Sequence, residues 1–322
     1  MKKITLVLSA LMLCAMVNAQ SSTQVATLKH DSTLLAFYGS NAFVDACNAA
    51  DTGDVITLSK GVYNPPTIRK KLTIRGVGME DDGTQVTGSC YIYADSINME
   101  GLYFTSSLTF RSNCYAYLSH VSIKRFYSDN MNYVKGTVNN CRIAEVGNSN
   151  VNITYVNSSL QSCTSFSGTC INCVVKGYQL QGLYENCILM NSSKTIGSNY
   201  MIFTGSTTTS NNCVAYNPNN LNNISGGVNT NLRIVNSGLF KDYQDVGSSS
   251  VSFQSFELTD SAKTAYLGGD STQVGLYGGF LPFTKYSIPR ISQLSVSRST
   301  TADGKLSVSV TIDEGVTNDD EE

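Results

Sequence analysis

The chain has 322 residues, a formal net charge of −2, no tryptophan, and only 14% charged residues. Ordinary globular chains contain about 25% charged residues. The weak negative charge offers no attraction for nucleic acid, and no stretch after the N-terminus is apolar enough to span a membrane. We therefore expect a weakly charged protein with no nucleic-acid partner and no membrane span.

Residues 1–19 have the pattern of a secretory signal peptide. Lys2 and Lys3 precede an apolar stretch at residues 4–16, and Ala19 is a small residue suited to cleavage before Gln20. The apolar stretch is too short to cross a bilayer, so it indicates export rather than a membrane helix. The sequence thus predicts a protein of the periplasm, the outer surface or the extracellular space.

Residues 20–54 are predicted to form an N-terminal segment that ends in a capping helix. Within residues 39–50, Ser40 or Asn41 can cap a helix, and the apolar side chains that follow recur at helical spacing. Strand patterns, separated by Gly, Pro and Asn corners, then run from residue 55 to 285.

The start of this strand region has the pattern G-D-x-I-x-L-x-x-G-x-Y followed by I-x-K-x-L-T-I-x-G-x-G. The positions that carry it are Asp54, Ile56, Leu58, Gly61, Tyr63, Ile68, Lys70, Leu72, Thr73, Ile74, Gly76 and Gly78. In these residues the chain resembles right-handed parallel β-helix proteins of the pectin-lyase-like superfamily, over about 39–280. The resemblance implies an all-β, single-stranded parallel β-helix. That superfamily includes lyases, hydrolases, esterases and non-catalytic surface proteins.

Cysteine recurs through the same region at a nearly constant step. The intervals are 24, 27, 22, 24 and 26 residues, at Cys90, Cys114, Cys141, Cys163, Cys187 and Cys213. A repeat of this length indicates stacked coils, so we predict one buried thiol per coil, each above the last. Asparagines that precede cysteine are expected to stack at a corner: Asn113, Asn140, Asn172, Asn186 and Asn212. The register between residues 163 and 187 stays open, because Cys173 competes there with Cys163.

Four tyrosines follow the first two of these cysteines. An alignment at a shift of 24 residues places Tyr91 on Tyr115 and Tyr93 on Tyr117, all outward if cysteine points inward. With Arg142 on the next coil, these side chains would form an aromatic patch suited to a sugar ring. The alternative is cross-coil stacking that only stiffens the sheet.

No catalytic set stands out in the sequence. A uronate lyase needs carboxylates for Ca²⁺ beside a basic residue. The candidates are scattered over Asp95, Glu100, His120, Lys124, Arg125, Asp129, Arg142 and Glu145. Within the coil region, the only acidic doublet that could serve a hydrolase is at residues 81–82, in a turn-like run. We therefore predict no catalytic residues, no metal site and no cofactor.

The C-terminal part is predicted to close the solenoid and to end in a hairpin. Residues 265–283 resemble the closing segment of β-helix proteins from Bacteroidetes-type bacteria. Residues 291–297 and 304–312 alternate as two strands around an Ala-Asp-Gly turn. We thus divide the chain into a β-helix at 55–285 and a hairpin with an acidic tail at 286–322.

Two functions remain open at this point. The first is a secreted or surface-associated, non-catalytic protein that binds polysaccharide or serves as a structural or adhesive rod. The second is a polysaccharide lyase or glycoside hydrolase acting on acidic glycans. We favour the first, because a fold leaves the function open and no catalytic constellation is visible.

Overall fold

The computed structural model describes residues 24–128, 134–147, 151–164, 166–178, 180–191, 208–216, 227–243, 255–284, 290–296 and 308–313. The predicted signal peptide, Asp129 and the acidic tail lie outside these residues. A hairpin of β1 (Val25–His30) and β2 (Thr33–Tyr38) comes first, followed by helix α1 (Ala42–Ala49). The helix confirms the predicted cap, whereas the hairpin before it was not predicted.

A parallel β-solenoid follows, and β1 joins it by pairing antiparallel with its first strand. Its strands are β3 (Val55–Leu58), β4 (Gly61–Tyr63), β5 (Thr67–Ile68), β6 (Leu72–Arg75), β7 (Thr84–Val86), β8 (Cys90–Ile92), β9 (Ser96–Phe110), β10 (Cys114–Ser128), β11 (Val134–Asn139), β12 (Arg142–Ile143), β13 (Val146–Gly147), β14 (Val151–Val156), β15 (Ser159–Thr164), β16 (Ser167–Ile171), β17 (Val174–Tyr178), β18 (Gln181–Glu185), β19 (Ile188–Asn191), β20 (Thr209–Asn211), β21 (Val214–Tyr216), β22 (Val228–Thr230) and β23 (Arg233–Val235). The predicted all-β parallel solenoid is confirmed.

Strand pairing divides the coils into three parallel sheets. The first sheet runs through β3, β6, the starts of β9 and β10, then β11, β14, β16, β18, β20 and β22. The second contains β4, β7, the middles of β9 and β10, then β12, β15, β17, β19, β21 and β23. The third contains β5, β8, the ends of β9 and β10, then β13 and the ends of β15 and β17.

The corner between the first and second sheets is a stack of left-handed residues. Their φ angles lie between 43° and 55°, at His120, Asn140, Asn157, Asn172, Asn186, Asn212 and Asn231. Asparagine tolerates this conformation better than most side chains, which explains why it recurs here. Asn113, which was predicted to join the stack, precedes β10 at a different corner.

Cysteine follows four of these corner residues and points into the tube. Cys141, Cys173, Cys187 and Cys213 occupy the equivalent place in successive coils, with Ser158 between the first two. The backbone N–H of Cys173 donates to Cys187 Sγ, and that of Cys187 to Cys213 Sγ, each at 3.4 Å. The nine cysteines of the described chain are all free and buried, and burial raises the pKa of Cys141 to about 12.

The prediction that all six repeated cysteines stack in one column was wrong. Cys90 aligns with Leu108 on the third sheet, and Cys114 aligns with Val134 on the first sheet. Cys163 also belongs to the third sheet, whereas Cys173 belongs to the corner column, which settles the open register. The constant step fails because coil length varies: consecutive corner residues are 14 residues apart from Asn172 to Asn186 and 26 apart from Asn186 to Asn212.

A segment after the last coil covers the second sheet. It contains helix α2 (Asp260–Ala265), and residues 266–284, here called the strap, then run back along the asparagine corner. Asn157 Nδ2 donates to the carbonyls of Leu276 and Gly278, both at 2.8 Å. Further along, the backbone N–H of Thr284 donates to Asn140 Oδ1 at 3.2 Å. The strap therefore ties successive coils together.

The chain ends in the antiparallel pair β24 (Arg290–Val296) and β25 (Val308–Asp313). This confirms the predicted C-terminal hairpin, although its predicted turn at residues 302–304 lies outside the described residues. Within the described part of the chain, no helix has both the length and the apolar character needed to cross a membrane.

Candidate functional site

Two tyrosines stand side by side on the outer face of the first sheet. Tyr115 and Tyr117 are 60% and 44% exposed, while Ala116 between them and Leu118 after them are fully buried. Residues two apart on a strand share a face and are about 7 Å apart. Because Cys114 also points inward, the two rings are held outward on one rigid strand. We call this pair the tyrosine platform.

Polar side chains surround the platform on the neighbouring coils. Ser96 and Lys135 lie on either side of Tyr115, and Asn98 and Thr137 lie on either side of Tyr117. A concavity of about 490 Å³ opens beside Tyr115 and is lined by Asp95, Asn113, Cys114, Tyr115, Lys135 and Asn152. Aromatic faces and hydrogen-bonding groups thus meet at one open depression.

A second depression continues along the same sheet. It measures about 370 Å³, shares Asn152 with the first, and is otherwise lined by Ile153, Thr154, Ser167, Gly168, Thr169, Gly182 and Leu183. Its lining carries no charge. Since neighbouring strands are about 4.8 Å apart, the two depressions together extend along the solenoid axis from β10 to β18. Their length suits an extended polymer better than a small molecule.

Tyr91 and Tyr93 lie elsewhere, which corrects the predicted four-tyrosine patch. Tyr91 aligns with Thr67 and Thr109 on the third sheet, and Tyr115 aligns with Ser96 rather than with Tyr91. The 24-residue shift failed because the coil here advances by only 19 residues, from Ser96 to its partner Tyr115. The sequence pattern therefore joined residues from two different faces.

Arginines accompany the two tyrosines of the third sheet. The Arg69 guanidinium lies 4.5 Å from the centre of the Tyr93 ring, and that of Arg111 lies 4.9 Å from the centre of the Tyr91 ring. These are cation–π contacts. These contacts favour the alternative interpretation, in which Tyr91 and Tyr93 stiffen the sheet and do not form an open binding surface.

Arg142 is not part of a tyrosine surface either. It lies on the second sheet, is only 6% exposed, and its Nη1 donates to Glu80 Oε1 at 2.8 Å. Its guanidinium is 5.1 Å from the centre of the Phe283 ring of the strap. The predicted place of Arg142 beside the tyrosines was wrong, because Arg142 lies beyond the asparagine corner on the second sheet, where Phe283 of the strap covers it.

The acid and base candidates are dispersed. Glu145 accepts from Arg125 Nε at 3.1 Å and from the Tyr127 hydroxyl at 2.5 Å on the third sheet. His120 lies at the asparagine corner, with its ring nitrogens 2.8 Å from Ser119 Oγ and 2.9 Å from Thr284 Oγ1. Burial lowers the pKa of His120. In the described ranges, no group of three or more His, Cys, Asp or Glu side chains is placed to hold a metal ion.

Sequence reasoning found the platform tyrosines but missed the residues beside them. Lys135 and Asn98 become neighbours of the platform only when the coil step is about 20 residues, and Asn152 lies beside Lys135 on the next coil. A search for that step would have aligned Tyr115 with Lys135. Comparison with known proteins finds no matching family model, no similar curated protein and no similar solved structure.

Proposed function

We propose that this protein is a non-catalytic β-solenoid that binds a glycan on the outer face of its first sheet. The observation that carries the proposal is the tyrosine platform, exposed beside a depression of about 490 Å³. A tyrosine ring offers a flat apolar face to a sugar ring, and its hydroxyl offers a hydrogen bond.

Three features support this choice of partner. The neutral Asn, Ser and Thr side chains along the two depressions can bond to sugar hydroxyls. Lys135 adds one cationic donor next to Tyr115. The face is open and long, so an internal stretch of a chain can lie on it without threading into a pocket. These properties suit a polymer held at a surface.

The setting we propose is outside the cytoplasm. The signal-peptide pattern of residues 1–19 supports export, and the low charge suits an exposed structural or adhesive rod. The motif at residues 54–78 supports membership of the pectin-lyase-like superfamily, and the closing segment at residues 265–283 together with the signal-peptide pattern supports a Bacteroidetes-type bacterium as the source. The exposed platform favours a glycan-binding role over that of a rod without a ligand.

Affinity electrophoresis through gels that contain single polysaccharides tests the proposal. We expect at least one polysaccharide to retard the protein, and the double variant Tyr115→Ala/Tyr117→Ala to weaken retention about tenfold or more, which corresponds to about 1.4 kcal/mol. The matched control is Tyr91→Ala/Tyr93→Ala on the third sheet, which should bind as the unaltered protein does.

Two outcomes would count against the proposal. Equal loss in both double variants would mean that the platform is not the site. Release of reducing ends or of unsaturated products from any of the polysaccharides would favour the lyase or hydrolase instead.

A further inference from the structure

The hairpin strand β2 forms a free edge at the N-terminal end of the first sheet. β1 has partners on both sides, β2 and β3, whereas β2 pairs only with β1 among the described strands. Half of the backbone N–H and C=O groups of an edge strand point away from its neighbour and can accept another strand. The sheet can therefore grow by one strand at β2.

Within the described residues, this edge strand lacks the charges, prolines and bulges that usually protect edge strands. Its sequence, TLLAFY, contains no charge and no proline, and its pairing with β1 is unbroken by any bulge. Leu34, Leu35 and Tyr38 are 67%, 45% and 66% exposed. An exposed, flat, apolar edge strand favours association with another strand.

We propose that β2 pairs antiparallel with β2 of a second copy of this chain. A two-fold pairing sets the central residue, Leu35 or Ala36, opposite itself. Asp31 then lies opposite Gly39 or Asn41, so no like charges meet. The strand is thus compatible with its own copy, as an isologous interface requires. A different partner strand would need its own matching pattern, and nothing in the strand selects for one.

The pairing has a consequence for the shape of the assembly. The two-fold axis of an antiparallel pair stands perpendicular to the sheet, so both first sheets would merge into one and expose their outer faces on the same side. The dimer would therefore present two tyrosine platforms to one surface. If the proposed function holds, two linked sites raise the apparent affinity for a polymer well above that of one site. The dimer itself does not depend on the proposed function.

Sedimentation analysis of the purified protein across a wide concentration range tests the pairing. We expect a concentration-dependent dimer, and a monomer for Leu34→Lys/Tyr38→Lys, because charges on the edge repel their own copies. The control Val228→Lys/Ile234→Lys alters equally exposed apolar residues in β22 and β23, 61% and 60% exposed, and should remain dimeric. Thermal unfolding of each variant shows whether the fold is retained.

Amide hydrogen exchange of β2 gives an independent measure. The dimer predicts slow exchange in Thr33–Tyr38 of the unaltered protein and faster exchange in Leu34→Lys/Tyr38→Lys. A protein that stays monomeric at all concentrations overturns the proposal. Slow exchange of β2 in such a monomer would mean that another segment of the chain covers the edge. A dimer that persists in Leu34→Lys/Tyr38→Lys would place the interface elsewhere.

Discussion

The outer faces of the first and second sheets are both built from parallel strands, but in the later coils the side chains that point outward differ between them. On the first sheet these positions hold residues such as Tyr117, Thr137 and Thr154. On the second sheet they hold Val174, Ile188 and Val214, which pack with Val274 and Leu276 of the strap in a cluster separate from the tube interior. A face thus becomes core where its outward residues are apolar and a later segment of the chain covers them.

Aromatic residues show the same contrast. On the second sheet Tyr216 packs edge-on against Phe240, with ring centres 5.3 Å apart, and Phe256 lies 5.7 Å from Phe240. On the first sheet Tyr115 and Tyr117 remain exposed. An aromatic residue on a solenoid therefore indicates a binding surface only when no later segment returns to cover it.

The largest difference in unfolding free energy should appear when outward residues of the two faces are truncated. Ile188→Ala removes a fully buried side chain from beneath the strap and should cost about 2–5 kcal/mol of unfolding free energy. Leu183→Ala on the open face, only partly buried, should cost about 1 kcal/mol or less. Denaturant unfolding measures both. Similar losses would mean that the second face is not a core.

The asparagine corner gives the next comparison. Asn157→Ala removes two hydrogen bonds to the strap as well as a side chain suited to its φ of 43°, so we expect a loss of about 3 kcal/mol. Asn231 has a φ of 55° but is exposed and does not bond to the strap. Asn231→Ala should cost about 1 kcal/mol. Equal costs would show that the strap adds nothing at this corner.

Close approach of the strap to the corner can be tested at a glycine. A Cβ at Gly279 would lie 2.2 Å from Asn172 Nδ2, at a φ of +80°, so Gly279→Ala should cost about 2 kcal/mol. Gly238 has a φ of +71° and open space around it, and Gly238→Ala should cost about 1 kcal/mol. Chemical denaturation distinguishes the two. A smaller loss of unfolding free energy for Gly279→Ala than for Gly238→Ala would contradict a strap that packs against the corner.

The smallest expected change in stability concerns the N-terminal cap, and it depends on pH. His30 Nδ1 lies 2.8 Å from Asp54 Oδ1, and that hydrogen bond and charge raise the pKa of His30. A raised pKa means that the contribution is complete below about 6.5 and disappears as pH rises through the higher folded value. His30→Gln should therefore lower the melting temperature at about pH 6 and leave it unchanged at about pH 9. A loss of the same size at both pH values would rule out the ionic contribution.

Sequence reasoning succeeded where one local rule decides the structure. Alternation with Asn and Gly corners predicted the solenoid, and helical spacing after Ser40 predicted α1. It failed where the result depends on coil length, because a coil between Asn172 and Asn186 and one between Asn186 and Asn212 contain different numbers of residues. The shift of 24 consequently placed Tyr91 over Tyr115 and misplaced Cys90.

The strap explains the other failure at the site. Arg142 alternates as an outward residue, and nothing within its own coil indicates that Phe283 covers it. The contact links residues far apart in the chain, so the local sequence pattern does not indicate it. The repeated Gly pairs of the strap were a visible signal, because a Cβ at Gly269 or Gly279 would lie within 3 Å of an asparagine side chain of the corner.

Hydrogen exchange with and without a retained polysaccharide tests the central claim, that the open face of the first sheet is the binding surface. Bound glycan should slow exchange at the start of β10 and in β11, around Tyr115, Tyr117 and Lys135, and leave exchange in β8 on the third sheet unchanged. Slower exchange confined to β8 or to the strap, with β10 and β11 unaffected, would contradict it.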